Sequence, residues 1–306
     1  AYASDFMFFS SIKDEKITAV GGKINCKMTD RIIEARGLHL TPGFIDVNTD
    51  SDHYLTLFSN PSQESFLLQG VTTIIGGNCG SSLAPLIRGT LESVKKWGDI
   101  DNINISWRSL NDFFNALKRI KLGVNFGTLV GHSTIRNQFL FSFARIPRRS
   151  GLLRRSGCFD GVGNGEENPS VASCEGGLAS EEFRYPTALR CGSPFKETGN
   201  QGRDLTDGEL EKLKEILEES FEQGALGLSL GLSYYSSSCA PYFELKELTK
   251  LTALKNKVLS IHLRDYKNSL MGSISEVIKL ASETGVKTEV SHLRPNRKFK
   301  DEWQSS

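Results

Sequence analysis

The chain has 306 residues, with 37 Lys or Arg against 36 Asp or Glu, so its net charge is +1 at neutral pH. This balance argues against general electrostatic affinity for nucleic acid or acidic membranes. The sequence contains no apolar run of the roughly 20 residues that a membrane-spanning helix needs. The N-terminus also lacks the basic and apolar regions of a signal peptide. We therefore expect no nucleic-acid partner and no membrane partner, and composition leaves the oligomeric state open.

Cysteine usage indicates the compartment. The six cysteines are widely and irregularly spaced, and no CxxC pair occurs (Cys26, Cys79, Cys158, Cys174, Cys191, Cys239). A zinc ribbon or a thioredoxin-type redox site is therefore not indicated. In a chain long enough to bury a substantial core, free thiols fit a reducing compartment better than a disulfide framework does. We expect a cytoplasmic protein.

The first forty residues predict a small antiparallel β unit, because short apolar runs alternate with turns in FMFFSSI, ITAVGGKI and RIIEARGLHL. Apolar strands separated by helical stretches follow from residue 42 onward. The expected strands lie near 44–47, 71–76, 124–130, 225–230, 258–262 and 287–291. Strand–helix alternation predicts a parallel sheet with crossover helices. A closed (β/α)₈ barrel needs eight strands over about 250 residues, so six leave either an open sheet or an incomplete barrel.

Residues 143–202 interrupt this pattern. The stretch is rich in Gly, Ser and Glu and begins near the basic run RIPRRSGLLRRSG. Its low periodicity favours an inserted, largely disordered segment, and for the basic run a solvated loop is favoured over a phosphate-binding or RNA-binding site. We expect four segments: a small β-domain portion (1–41), a first barrel part (42–142), the insertion (143–202) and a second barrel part (203–306).

Chemically versatile side chains follow the predicted strands. Functional residues of parallel barrels gather where the strands end, and those positions hold Asn48, Asp50, Cys79, His132, His262 and His292. Each residue also has a structural explanation, because a lone cysteine or histidine is commonly a satisfied core residue. A Cys thiolate with two imidazoles, however, suits Zn²⁺ with an open fourth position. The sequence therefore predicts a zinc site at Cys79, His262 and His292.

Six motifs carry a resemblance to a known family. LTPGFIDV, QGVTTIIGGNCGSSLAP, LVGHSTIR, EQGALGLSLGLSYY, IHLRD and VSHLR occur in family order and cover about 12–142 and 203–296. With these motifs the chain resembles the N-acyl-D-amino-acid deacylases (D-aminoacylases) of the amidohydrolase superfamily. The resemblance implies an α/β fold, here an incomplete (β/α)₈ TIM-type barrel with a small N-terminal β-domain portion.

The resemblance also implies a metal site. Cys79, His262 and His292 match the tightly held zinc ligands. Asn48 and Asp50 occupy the family's His-x-His places, which belong to the weaker second metal. Asp50 offers an oxygen donor, whereas a neutral Asn amide is a poor zinc ligand. We expect one tightly bound Zn²⁺ and an altered second position.

Other residues are matched to the substrate pocket. Arg294 and Tyr234 stand where the family faces the substrate carboxylate, and a bidentate Arg suits a carboxylate well. An exposed loop is an equally good interpretation of Arg294. His132 is expected to hold loops near the site rather than to bind metal.

The implied function is zinc-dependent hydrolysis of the amide bond of N-acyl-D-amino acids. In the family an aspartate at the end of the eighth strand serves as general base, and no residue here matches it. A truncated chain, or an inactive amidohydrolase remnant, is therefore an open alternative. A cyclic amidase of the dihydropyrimidinase type is another, although GGNCG and GHSTIR argue against it because those enzymes generally bridge their metals with a modified lysine.

Overall fold

The computed structural model describes residues 9–14, 16–22, 31–35, 37–86, 105–140, 203–266 and 269–293. The predicted insertion at 143–202 lies outside these ranges, and so does Arg294. The chain divides into two compact units, Ala1–Phe44 and Ile45–Ser306.

The first unit contains an antiparallel hairpin of β1 (Phe9–Lys13) and β2 (Lys16–Gly21), whose register shifts by a bulge between Ser11 and Ile12. The expected third strand, RIIEARGLHL, is wrong within the described residues, which have no strand between 31 and 43. Ile32, Ile33 and Leu38 are each 70–75% exposed there. An apolar run that stays in water gains none of the free energy that burial would supply.

The remaining elements alternate as the sequence predicted. The strands are β3 (Phe44–Asp46), β4 (Val71–Gly76), β5 (Asn125–Thr128), β6 (Val130–Gly131), β7 (Gly227–Gly231), β8 (Val258–His262) and β9 (Lys287–Val290). The helices are α1 (Thr56–Ser59), α2 (Glu64–Leu67), α3 (Leu110–Ile120), α4 (His132–Leu140), α5 (Asp207–Glu222), α6 (Tyr235–Ser238), α7 (Tyr242–Leu254) and α8 (Leu270–Thr284).

From β3 onward the strands form two sheets in chain order, β3-β4-β5 and β6-β7-β8-β9. The pairs β4/β5, β6/β7, β7/β8 and β8/β9 are parallel. Neighbouring parallel strands therefore end on the same edge, and the loops after them are brought together.

The strand expected at 124–130 is present, but it is divided at Leu129 into β5 and β6. The backbone changes partner there. The Leu129 N–H still donates to Gly76 C=O on the β4 side, whereas the Leu226 N–H before β7 donates to Thr128 C=O. One segment thus pairs with β4 in its first half and with β7 in its second.

Helix α5 shows how the helices cover the sheet. Thr206 and Glu209 form a reciprocal capping box at its start, which satisfies backbone N–H groups that have no intrahelical partner. Leu210, Leu213 and Leu217 are buried at helical spacing and belong to the apolar core. Among the described residues, no helix is both long and apolar enough to span a bilayer.

Strands β7 and β8 separate apolar from polar side chains by their two-residue period. Leu228 and Leu230 belong to the core, while Ser229 between them bonds to Gly77 C=O and the Gly80 N–H of the loop after β4. In β8, Ser260 likewise contacts Asn78 of the same loop, at 3.3 Å. The polar face of the sheet therefore fixes the loop that carries Cys79.

Candidate metal centre

Cys79, His262 and His292 come together at the carboxyl ends of β4, β8 and β9. Cys79 Sγ lies 3.5 Å from His262 Nδ1 and 3.7 Å from His292 Nε2. One donor atom from each of the three residues lies within 4.8 Å of the others, and among the described residues no second group of three such side chains is found. Residues separated by 183 and 213 positions along the chain thus share one site.

These separations match the coordination geometry of zinc. With Zn–S near 2.3 Å and Zn–N near 2.0–2.1 Å at a tetrahedral angle, sulfur and nitrogen ligands lie about 3.6 Å apart. The two Cys79 distances, 3.5 and 3.7 Å, lie on either side of that value. The residues therefore fit a tetrahedral metal ion with a soft thiolate and two imidazoles, leaving a fourth position for water or substrate.

The backbone is strained at two of these three residues. Cys79 has φ 53° and His292 has φ 36°, in the left-handed region that non-glycine residues rarely adopt. Such conformations cost on the order of 1–3 kcal/mol and persist where surrounding structure enforces them, often at functional sites. His292 follows Val290, the last residue of β9, by two positions, so this conformation lies just beyond the end of the strand.

Glycines allow the Cys79 loop to pack closely. Gly80 has φ 74°, and a Cβ there would lie 2.5 Å from the Gly231 nitrogen at the end of β7. Gly77 has φ 75°, and a Cβ there would lie 2.1 Å from Leu129 C=O. Only glycine meets both demands at these positions, so the GGNCG pattern has a physical cause.

Ser233 orients the first imidazole. Its Oγ lies 2.7 Å from His262 Nε2, and the other ring nitrogen, Nδ1, faces Cys79. Metal-binding histidines commonly donate their second ring N–H to a neighbouring acceptor, which fixes the tautomer. When Nε2–H donates to Ser233, Nδ1 keeps its lone pair for a metal.

Two tyrosines line the same imidazoles. The Tyr234 ring lies 4.7 Å from that of His262, and the Tyr266 ring lies 5.0 Å from His262 and 5.2 Å from His292. Burial raises the pKa of Tyr234 and raises that of Tyr266 to about 12. Both hydroxyl groups therefore remain protonated at neutral pH.

The loop after β3 has a different arrangement. His53 is fully buried, with Nδ1 2.9 Å from Asp50 Oδ1 and Nε2 2.9 Å from Ser81 C=O. Both partner atoms are acceptors, so both ring nitrogens donate and the imidazole is cationic. Burial alone would lower the pKa of His53, but the buried Asp52 and the bond to Asp50 outweigh it and raise the pKa.

The two acidic residues of this loop, Asp50 and Asp52, lie within ion-pair distance of the His53 imidazole. The hydrogen bond from His53 lowers the pKa of Asp50 despite its partial burial. Asp52 is buried and accepts the Gly77 N–H at 2.6 Å, and burial raises its pKa. The predicted site residue Asp50 is not among the three residues whose donor atoms all lie within 4.8 Å of one another, although His292 is near enough for its charge to help lower the pKa of Asp50. Asn48 donates its backbone N–H to Asp46.

His132 lies in a separate buried network. Its Nδ1 contacts Ser237 Oγ at 2.8 Å and its Nε2 contacts Glu244 at 2.7 Å. Arg136 donates to the same carboxylate and to the Ser236 carbonyl. The network thereby connects the start of α4 to the segment that follows Tyr234.

Two residues of the site were not singled out from the sequence, Ser233 and Tyr266. For Tyr266 a signal was present, because an aromatic residue follows His262 by four positions in IHLRDY. No sequence feature marks Ser233, because its contact with His262 depends on how the backbone after β7 is folded.

Known proteins resemble this chain in sequence and in structure. It is 27% identical over 263 residues to an N-acyl-D-aspartate deacylase of Alcaligenes xylosoxydans xylosoxydans, covering 85% of this chain and 40% of the relative. An N-acyl-D-glutamate deacylase from Bordetella bronchiseptica, solved with zinc and a phosphonate mimic of the tetrahedral intermediate, superposes with a TM-score of 0.62 at 22% identity, covering 91% of this chain and 46% of the other.

A second solved structure, a D-aminoacylase studied for its binuclear metal centre, gives a TM-score of 0.63 at 22% identity, covering 94% of this chain and 48% of the other. No model of a protein family matches the chain. The chain spans less than half the length of each of these relatives. The structural likeness shows a shared α/β fold. The resemblance inferred from the motifs is confirmed, and the chain is a homologue of proteins named N-acyl-D-amino-acid deacylases and D-aminoacylase.

Proposed function

We propose that this chain provides the zinc centre of an amidohydrolase that cleaves the amide bond of N-acyl-D-amino acids. The observation that carries the proposal is the pair of distances from Cys79 Sγ, 3.5 Å to His262 and 3.7 Å to His292. The names of the relatives support the substrate class. Because the chain spans less than half of each relative, the activity of the whole relatives comes to it only as a proposal.

In this proposal Cys79, His262 and His292 hold one zinc ion. A zinc ion in such a site polarises an amide carbonyl and lowers the pKa of bound water toward neutrality. Ser233 keeps the His262 lone pair directed to the site, and the left-handed backbone turns Cys79 and His292 toward it. In this proposal the fold itself positions the donor atoms of Cys79, His262 and His292 for the metal ion.

We propose one metal rather than two. Asp50 and His53 are bonded to one another, and the second ring nitrogen of His53 is used by Ser81. Neither ring nitrogen of His53 has a lone pair to offer a metal, and the carboxylate of Asp50 already compensates a cation. The neutral amide of Asn48 is a poor replacement for an imidazole.

For the substrate we propose Tyr234 and Arg294 as contacts of the carboxylate. The Tyr234 ring lies against His262, and a hydrogen bond to Cys79 is one cause of its raised pKa, so its protonated hydroxyl lies beside the proposed metal. Arg294 follows His292 by two positions, and a guanidinium binds a carboxylate through two parallel hydrogen bonds. No residue of this sequence is proposed as the general base.

The architecture that we propose for this function is an incomplete (β/α)₈ barrel in 42–142 and 203–306, with a β-domain portion in 1–41 and an insertion in 143–202. The order of the parallel strands and their shared edge support it. The likeness to D-aminoacylase structures supports the barrel as well.

The test compares the two enantiomers of each substrate. Zinc-loaded protein is incubated with N-acetyl-D-amino acids and with the matching L-isomers, and the free amino acid is quantified by chiral chromatography. We expect release from the D-isomers alone, and loss of that release in Cys79→Ala. Zinc-loaded protein that hydrolyses neither isomer would favour the inactive remnant. Hydrolysis of dihydropyrimidines instead would favour the cyclic amidase.

A further inference from the structure

The backbone ladder between β8 and β9 stops just before the two histidines. The paired residues end at Ile261 and Val290, and the Ser291 N–H makes a last regular bond to Ile261 C=O at 2.9 Å. In a parallel ladder the next bond would run from the Leu263 N–H to Ser291 C=O. These two residues adjoin His262 and His292 directly.

A tyrosine hydroxyl stands in place of that next bond. Tyr266 Oη accepts the Leu263 N–H at 2.9 Å and donates to Ser291 C=O at 3.0 Å. The ladder therefore continues through an inserted oxygen, and its donor and acceptor are held apart by two hydrogen bonds instead of one. A direct bond would bring the same nitrogen and oxygen to about 2.9 Å.

The ring of Tyr266 also faces both imidazoles. Its centroid lies 5.0 Å from that of His262 in an edge-on arrangement and 5.2 Å from that of His292 in a tilted one. The two imidazole centroids are 4.4 Å apart. One side chain thus sets the separation of the backbone beside the two histidines and contacts both rings.

We propose that Tyr266 is a positioning residue of the metal centre, whose hydroxyl separates the ends of β8 and β9 so that His262 and His292 can share one metal ion. The inference rests on the proposed function and adds a residue outside the ligand set. Without the hydroxyl, Leu263 and Ser291 either lose their partners or close to a direct bond. Both outcomes displace the two imidazoles relative to Cys79.

The test is Tyr266→Phe, which keeps the ring and removes only the hydroxyl. Zinc affinity is measured by competition with a chromogenic chelator, and Co²⁺ is used as a spectroscopic probe of the donor set. We expect zinc affinity to fall about 10-fold to 100-fold, the usual cost of losing a partner that orients metal ligands. The thiolate-to-cobalt band should shift or weaken.

Tyr242→Phe is the matched control. Tyr242 donates its hydroxyl to Glu283 at 3.2 Å on the outer helices, so this variant also loses one tyrosine hydrogen bond. Its zinc affinity and cobalt spectrum should equal those of the wild type. A role of Tyr266 in stability alone would lower the melting temperature of metal-free protein and leave zinc affinity in the folded protein unchanged.

The outcomes separate this inference from the proposed function. A wild type that binds no zinc overturns the proposed metal centre itself. A wild type that binds zinc, with Tyr266→Phe within twofold of its affinity, overturns only the role of Tyr266. If the variant does not fold, amide hydrogen exchange of the wild-type protein tests the proposed role of Tyr266 instead. The Leu263 amide should be protected although it lies beyond the ladder, and rapid exchange there contradicts the proposal.

Discussion

Two neighbouring groups of residues carry metal-binding types of side chain, and in only one of them do three donor atoms come together. At the ends of β4, β8 and β9, Cys79 lies 3.5 and 3.7 Å from the ring nitrogens of His262 and His292. After β3, Asp50 and His53 are bonded to each other at 2.9 Å. The three donor atoms of the first group lie within 4.8 Å of one another, whereas both ring nitrogens of His53 in the second group are used in hydrogen bonds.

The difference shows that residue type at a strand end does not suffice to identify a metal ligand. A histidine whose two nitrogens both donate has no lone pair left. The two cases differ in what the two ring nitrogens face. In His262, Nε2 faces the Ser233 hydroxyl, which can accept, and Nδ1 faces the Cys79 sulfur. In His53 both nitrogens face acceptor oxygens, a carboxylate and a carbonyl.

The largest expected effect comes from removing the thiolate. Cys79→Ala should reduce zinc in the folded protein far below one equivalent, because only two imidazoles would remain. The loss of affinity should exceed the roughly 100-fold that an outer partner costs. Zinc content is measured by mass spectrometry after gel filtration. Cys239→Ala, at a cysteine outside the cluster, should keep its zinc, and equal zinc in both variants would remove Cys79 from the site.

The next effect tests the other group. His53→Ala removes the cation that compensates the buried Asp52 and the neighbouring Asp50. Breaking a buried charge pair from one side typically costs about 3–5 kcal/mol, so we expect a comparable fall in the free energy of unfolding. Urea denaturation measures it. Folded variant should still bind one zinc, and loss of zinc without loss of stability would place His53 in the metal centre.

A smaller effect is expected for Asp50→Asn. The Asp50 side chain is about half exposed (48%), and pairs near the surface contribute about 1 kcal/mol or less. Zinc stoichiometry and affinity should be those of the wild type. If the variant binds zinc 10-fold more weakly, Asp50 is a ligand and the contrast between the two groups fails.

The smallest effect lies outside both groups. Glu209 pairs with Arg203 at the start of α5, and that hydrogen bond lowers the pKa of Glu209 from 4.5 to about 2. A lowered folded-state pKa stabilises the protein above the unfolded value, and this contribution disappears as the pH falls through the folded value. The stability difference between wild type and Glu209→Gln should therefore be under about 1 kcal/mol at pH 7. It should shrink from pH 4.5 toward pH 2.

Acid-dependent denaturation measures this difference, and zinc affinity at neutral pH serves as the control. A pH-independent difference would mean that the Glu209 carboxylate is not paired in solution. Unchanged zinc binding in Glu209→Gln would show that a small loss of stability does not by itself change zinc affinity. A change of zinc affinity in the Cys79 or His53 variants could then be assigned to the site itself.

Much of the fold was predictable because the pattern repeats. Four strands, β4, β7, β8 and β9, lie within the runs that the sequence analysis identified between helical stretches. Their observed bounds agree closely with the expected ranges. The break at Leu129 was not predictable, since it depends on which neighbour each backbone group bonds to. RIIEARGLHL has the composition of a strand, but burial decides whether such a run pairs.

The sequence predicted the three proposed metal ligands, but not the backbone conformation and the neighbouring side chains that position them. Cys79, His262 and His292 stand at strand ends, where their types are informative. The left-handed backbone that turns His292 is a property of the folded chain. The roles of Ser233 and Tyr266 depend on the distances of 2.7 Å to His262 and 3.0 Å to Ser291, which join groups from separate loops, and no sequence spacing encodes them.

The most direct test of the central claim is a zinc titration of the purified wild-type protein, followed by isothermal calorimetry and by metal analysis of the saturated sample. One metal centre at Cys79, His262 and His292 predicts a single tight site and a stoichiometry of one zinc per chain. Absence of tight binding would contradict the centre, and two equivalents of tightly bound zinc would contradict the contrast between the two groups.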